Sequence, residues 1–159
     1  MWRSTARSVT ERHLSHSEAD TTNLAARLAQ RLGPGSVVLL YGELGAGKTT
    51  FVRGFVQGLG LAPDEVSSPT FTLIQDYGEG QVFHVDLYRL EPDEVEDLGL
   101  EELPEAGGLV CIEWADRLPS PIVGATSVRI VDGGGDTREF VVSFAEAEGA
   151  SAGSIDGEM

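Results

Sequence analysis

Val37-Val38-Leu39-Leu40-Tyr41-Gly42-Glu43-Leu44-Gly45-Ala46-Gly47-Lys48-Thr49-Thr50-Phe51 is the stretch that decides how this chain is read. Its first five residues form a continuous apolar run of strand length, as expected for a parallel strand buried on both faces. Gly42 to Thr49 then match G-x-x-x-x-G-K-[ST] without a gap. A helical pattern follows, with Phe51, Phe55, Val56 and Leu59 on one side and an end near Gly60. Strand, glycine-rich turn and helix in this order distinguish a phosphate-binding P-loop from an ordinary glycine-rich connection. The glycines let the backbone curl around an anion. The amides of Gly45, Ala46, Gly47 and Lys48, at a helix N-terminus, favour a β-phosphate. Lys48 has the reach to bridge β- and γ-phosphates, and Thr49 offers its hydroxyl to magnesium. Of the 11 basic residues, Lys48 is the only lysine. It stands where a compact ammonium is needed and a planar guanidinium would not fit.

Outward from this stretch, Val9 to Leu14 reads as a short edge strand. Ser17-Glu18-Ala19-Asp20 fits a capping box opening a helix, with Leu24, Ala25, Leu28, Ala29 and Leu32 on its buried face. Gly33-Pro34-Gly35 stops that helix. Downstream, residues 62–69 read as a loop. Thr70 to Tyr77 and Val82 to Tyr88 read as a hairpin around Gly78-Glu79-Gly80. The acidic stretch 91–103, with Val95, Leu98, Leu100 and Leu103 interspersed, predicts one or two short helices. Leu109 to Ile112 is another buried strand, and 126–132 and 138–144 are two more around Gly133-Gly134-Gly135-Asp136. The expectation is one domain over 1–159: a loose leader at 1–9, an ordered core at about 10–144, and a disordered acidic, small-residue tail at 145–159.

A magnesium site in such a fold needs a carboxylate at the end of a neighbouring strand. Glu113 follows Leu109-Val110-Cys111-Ile112, the apolar-run-then-acid pattern of a Walker B element. Asp86 lies in Val82-Phe83-His84-Val85-Asp86-Leu87-Tyr88, where alternation puts His84, Asp86 and Tyr88 on one face. That trio reads either as chemistry or as a solvated strand face. One acid would hold the metal and the other would orient or deprotonate water; Glu113 is the choice for the metal. Thr70, after Ser67-Ser68-Pro69, is a candidate γ-phosphate switch, with strand-entry punctuation as its alternative. A guanine-reading N-K-x-D needs a second lysine, so ATP is expected over GTP.

The 26 acidic residues against 11 basic ones leave a net charge of −15. Such a surface repels nucleic acid at long range, so contact with RNA is expected only through a partner. Hydrophobic residues make up 41% of the chain, enough for a packed core. No apolar run approaches a membrane span. The arginines of the leader are followed by no apolar run, which argues against a secretory signal. Cys111, the single cysteine, leaves no internal disulfide and favours the cytoplasm.

Four segments in order, Gly42 to Thr50, Ser68-Pro69-Thr70-Phe71-Thr72-Leu73, His84-Val85-Asp86-Leu87-Tyr88-Arg89 and Ile112-Glu113-Trp114, resemble the TsaE (YjeE) family over roughly residues 10–144. The P-loop alone is generic; the other three segments at these separations are specific. The resemblance implies an α/β P-loop NTPase domain, its central mixed sheet flanked by helices and extended by antiparallel strands. It implies a magnesium-dependent ATPase, slow alone, that works with TsaB and TsaD. That complex places a threonylcarbamoyl group on adenosine 37 of tRNAs reading ANN codons. By position, Thr49 and Glu113 resemble magnesium ligands and Gly45 to Thr50 a phosphate cradle. Ser17 or Glu18, and Arg138, lie where the family approaches the nucleotide. Ser17 has a competing role as helix cap, and Arg138 as a surface charge of the last hairpin. Trp114 packs near the nucleotide or fills the core. A small-molecule kinase and a non-catalytic nucleotide-dependent binding module are the competing functions; the acidic region after Arg89 lacks the arginine-rich lid a kinase uses.

Overall fold

The computed structural model describes residues 8–42, 47–62, 74–120 and 122–145. Seven strands form one sheet in the order β1-β7-β6-β2-β5-β4-β3. They are β1 (Ser8–Ser15), β2 (Val37–Tyr41), β3 (Ile74–Tyr77), β4 (Val82–Asp86), β5 (Leu109–Glu113), β6 (Thr126–Asp132) and β7 (Arg138–Ala145). The four central strands β6, β2, β5 and β4 run parallel. Antiparallel strands extend the sheet at both sides, β7 and β1 on one and β3 on the other. The fold is the mixed α/β sheet that the sequence predicts.

Both faces are covered, which is why β2 and β5 are apolar along their length. On one face lie α1 (Glu18–Arg31) and α2 (Lys48–Gly58), over Val38, Leu40, Val82, Cys111, Val128 and Phe140. On the other, α3 (Pro92–Glu96), α4 (Glu102–Glu105) and a 3-10 turn at Ala115–Arg117 cover Val37, Leu39, Val85, Leu87, Val110 and Ile112. α2 lies close against α1 because two glycines face it. A Cβ on Gly54 would sit 2.4 Å from the Thr22 carbonyl oxygen, and one on Gly58 would sit 2.5 Å from that of Ala26. Only hydrogen fits there.

Some boundaries differ from expectation. β1 begins at Ser8 and runs in eight-residue register with β7 out to Ala145. The pairing therefore takes in residues that composition assigned to the leader and the tail. β4 ends at Asp86, not Tyr88: the Leu87 amide still bonds the Glu113 carbonyl at 3.2 Å, but the Tyr88 amide turns back onto the Asp86 carboxylate at 3.0 Å. Only the Ile74–Tyr77 half of the 70–77 strand lies within the described residues. Ser17 caps α1, its Oγ accepting from the Asp20 amide at 3.0 Å. The returning Asp20 carboxylate accepts from the His16 amide at 2.9 Å, one residue earlier than a capping box requires. Among the described residues no helix is long and apolar enough to cross a membrane.

Candidate functional site

The C-terminal ends of β2, β5 and β4 converge on the start of α2, the place where open α/β sheets bind ligands. Gly47 precedes α2 with φ +102°, a left-handed conformation in which a Cβ would be strained even though the space around it is open. Lys48 follows and is 4% exposed. Its Nζ donates to the Gly42 carbonyl at 2.6 Å and lies 4.1 Å from the centroid of the Trp114 ring. Burial pulls the Lys48 ammonium below its ordinary value, opposed by the negative charges of Glu113, Asp86 and Asp116. Thr49 and Thr50 are half-buried beside it. Gly45 and Ala46 of the expected cradle, and the switch candidate Thr70, lie outside the described residues.

The two acids are cross-strand neighbours: in the parallel β4–β5 ladder Asp86 stands opposite Glu113. Period-two alternation carries both onto the face that α1 and α2 cover, with Val82 and Cys111 before them. Glu113 is 3% exposed. Asp86 is half-buried, and its carboxyl is raised above the usual range by burial first and by the Glu113 charge after it, while the Tyr88 amide opposes both. His84 is 0% exposed, and its Nε2 bonds the Glu113 carboxylate. The solvated-face alternative for His84, Asp86 and Tyr88 is therefore wrong for His84. Alternation looks the same whether a polar face meets water or a helix, so nothing local in the sequence separates the two. Tyr88, 45% exposed, packs on Trp114 with ring centroids 4.8 Å apart. Trp114 itself takes a left-handed backbone, φ 59°. Its ring reaches both the lysine and the apolar cluster under α3, so it is at once beside the site and part of the packing.

A cleft of about 450 Å³ opens next to α2. Ser17, Glu18 and Thr21 of α1 line one side; Gly47, Thr50, Asp136 and Arg138 line the rest. The end of β1 is fixed there by Ser15, whose Oγ bonds Thr21 Oγ1 at 2.7 Å and donates to the Ser17 carbonyl at 2.8 Å. Ser17 thus caps the helix and also lines the cleft. Arg138 is half-buried, and its Nη1 donates to the carbonyls of Gly135 and Thr137 at 2.9 Å each.

A phosphate loop of this kind occurs in many families; the other segments narrow the choice. The family model described as "Threonylcarbamoyl adenosine biosynthesis protein TsaE" matches residues 15–140. This chain belongs to the TsaE family. A Bacillus subtilis relative, named as tRNA threonylcarbamoyladenosine biosynthesis protein TsaE, is 43% identical over 76% of this chain and 77% of its own. A Treponema pallidum TsaE is 39% identical over 83% of this chain and 99% of its own. A Nostoc TsaE is 50% identical over 62% of this chain; there the alignment spans 64% of the relative's length. The crystal structure of Bacillus subtilis YdiB superposes with a TM-score of 0.66 at 31% identity, covering 89% of this chain and 88% of that one. TsaE-family membership ties the chain to tRNA threonylcarbamoyladenosine biosynthesis, on a P-loop fold suited to nucleotides.

Proposed function

We propose that this TsaE-family chain binds ATP with Mg²⁺ and hydrolyses it, slowly by itself and productively with TsaB and TsaD. In this reading it sustains transfer of a threonylcarbamoyl group to adenosine 37 of tRNAs reading ANN codons, and it meets tRNA only through that complex, in the cytoplasm. The observation that carries the reading is the register of β4 and β5. It sets Asp86 opposite Glu113, on the face of the sheet that carries Lys48. Two carboxylates and an ammonium drawn into one largely apolar region carry a desolvation cost that partners and a charged ligand offset.

The donor set fits magnesium. Thr49 and Glu113 would supply it with hard oxygen ligands, the kind Mg²⁺ takes. When bound, Mg²⁺ offsets the charge that develops on the phosphoryl oxygens. Lys48, on leaving the Gly42 carbonyl, grips the β- and γ-phosphates; the amides of Gly45 to Thr50 cradle them. Asp86 orients the attacking water or takes its proton, which requires the ionised carboxylate. Ser17, Glu18 and Arg138 border the space beside the phosphates, where a base and ribose have room. With no second lysine to build a guanine-reading motif, adenine is the expected base.

The test is paired. In Glu113→Gln and Asp86→Asn, single-turnover hydrolysis with the reconstituted partners and tRNA should fall by about 10²–10⁴-fold. Nucleotide affinity by titration in EDTA should stay within a few-fold, because the phosphate grip is untouched. Normal hydrolysis in both variants breaks this assignment and favours a nucleotide-dependent binding module.

A further inference from the structure

The chemistry above does not use His84, yet His84 is among the most deeply enclosed polar side chains of the protein. Its side chain is fully buried in β4, between cross-strand neighbours Gln75 and Cys111, with the Tyr77 ring 6.5 Å away. Its Nε2 bonds Glu113 Oε2, and among the described residues its Nδ1 has no hydrogen-bond partner. An imidazole so placed is unfavourable for packing alone. A purely apolar residue, like Val82 and Val85 on the same strand, would fill the site without leaving a buried nitrogen unsatisfied. What the ring offers that an apolar side chain cannot is the single bond to Glu113.

We propose that His84 is a positioning residue for the metal-binding carboxylate. This inference rests on the reading of Glu113 as the metal acid. The Nε2–H donates to Oε2, which fixes the carboxylate's rotation and would leave Oε1 to a metal ion. Glu113 is the last residue of β5, and the chain turns at once into the left-handed Trp114. Without a side-chain tether, a glutamate at a strand end has three free torsions. The same strand carries Asp86 two residues after His84, so one element aims both acids. Ligating carboxylates are commonly held in this way, and loss of such a partner costs about 10–100-fold in metal affinity.

The experiment measures nucleotide binding twice by calorimetry on the full chain, in EDTA and across a Mg²⁺ series. His84→Phe keeps an aromatic ring, somewhat larger, and loses the donor; His84→Gln can place an amide N–H near the position of Nε2. The expected result is an unchanged affinity in EDTA for all variants. The Mg²⁺ concentration needed for half-maximal tightening should rise about 10–100-fold in His84→Phe and return towards wild type in His84→Gln. Wild-type Mg²⁺ dependence in His84→Phe overturns the proposal, as does an equal loss of binding in EDTA. Should His84→Phe fail to fold, His84→Asn replaces it: its shorter amide cannot reach Glu113, so it must require more Mg²⁺ than His84→Gln, and equality overturns the proposal. Glu113→Gln in the same series separates the two readings. If it retains wild-type Mg²⁺ dependence, the assignment of Glu113 itself fails and this inference with it. If it loses that dependence while His84→Phe keeps it, only the role of His84 falls.

Discussion

The two ends of this sheet use charge in opposite ways. At the C-terminal ends of β2, β4 and β5, Lys48 and Glu113 are nearly inaccessible to water and Asp86 is half-buried. At the β1–β7 edge the charges are paired in the open. Arg31 makes a two-pronged contact with Glu11 at 2.9 and 3.0 Å, and Arg12 lies 3.5 Å from Glu139. Exposed pairs like these contribute little to stability and are screened by salt. Buried charges carry a desolvation cost that only a partner or ligand offsets. The region that is costly to fold is therefore the one to which the proposed chemistry is assigned, and the cheap region trims an edge.

Breaking the buried end should have the largest effect. Lys48→Ala should abolish productive ATP hydrolysis, a loss of at least about 10²-fold, measured as phosphate release with the partners present; near-normal turnover would dissolve the contrast between the two ends. The next effect is on stability. Gly54→Ala drives a methyl into the Thr22 backbone, which cannot retreat as a side chain would. It should cost about 1–3 kcal/mol, against ~1 kcal/mol recovered from helix propensity. Gly33→Ala, with nothing within 4 Å of the added carbon, is the control for urea denaturation. The smallest effect belongs to the open edge. Hydrogen bonds from Arg31 first, and His13 second, hold the Glu11 carboxyl down to about 2. Its contribution is thus fully present above the ordinary carboxylate range and fades as pH falls towards 2. Glu11→Gln should lower the melting temperature slightly at neutral pH and low salt, and not at all near pH 2. A large drop that persists in high salt would mean the edge is not the cheap end.

The motif between β2 and α2 was legible because its eight residues are contiguous; the structure puts Gly47 and Lys48 at the start of α2 as that motif predicts, and residues 43–46 lie outside the described residues. Glu113 and Asp86 were legible as acids ending strands. Their pairing was not, because it depends on β5 lying beside β4, a neighbour relation that no short pattern encodes. His84 was visible only as a member of an alternating face. Its burial depends on neighbours distant in sequence, Tyr77 from β3 and Cys111 and Glu113 from β5, a long-range result. The convergence of Ser17 and Arg138 on one cleft came from family resemblance rather than spacing, since more than a hundred residues separate them. Strand ends moved by a residue or two wherever a ladder partner or a turn decided the boundary.

The seam between α1 and α2 also works as a gauge. One wall of the cleft, Ser17 to Thr21, rides on the first turn of α1; the other, Gly47 to Thr50, rides on the first turn of α2. Further along, Gly54 and Gly58 let the backbones of the two helices approach closely, against Thr22, Ala25 and Ala26. A rigid pair clamped at such a seam transmits any spacer inserted there to its open jaws. The width of the cleft is therefore tied to the close approach at Gly54 and Gly58, away from the cleft itself. If the cleft takes a nucleotide as proposed, substitutions along the seam should register as altered preference among nucleotides of different girth, even where the molecule stays folded.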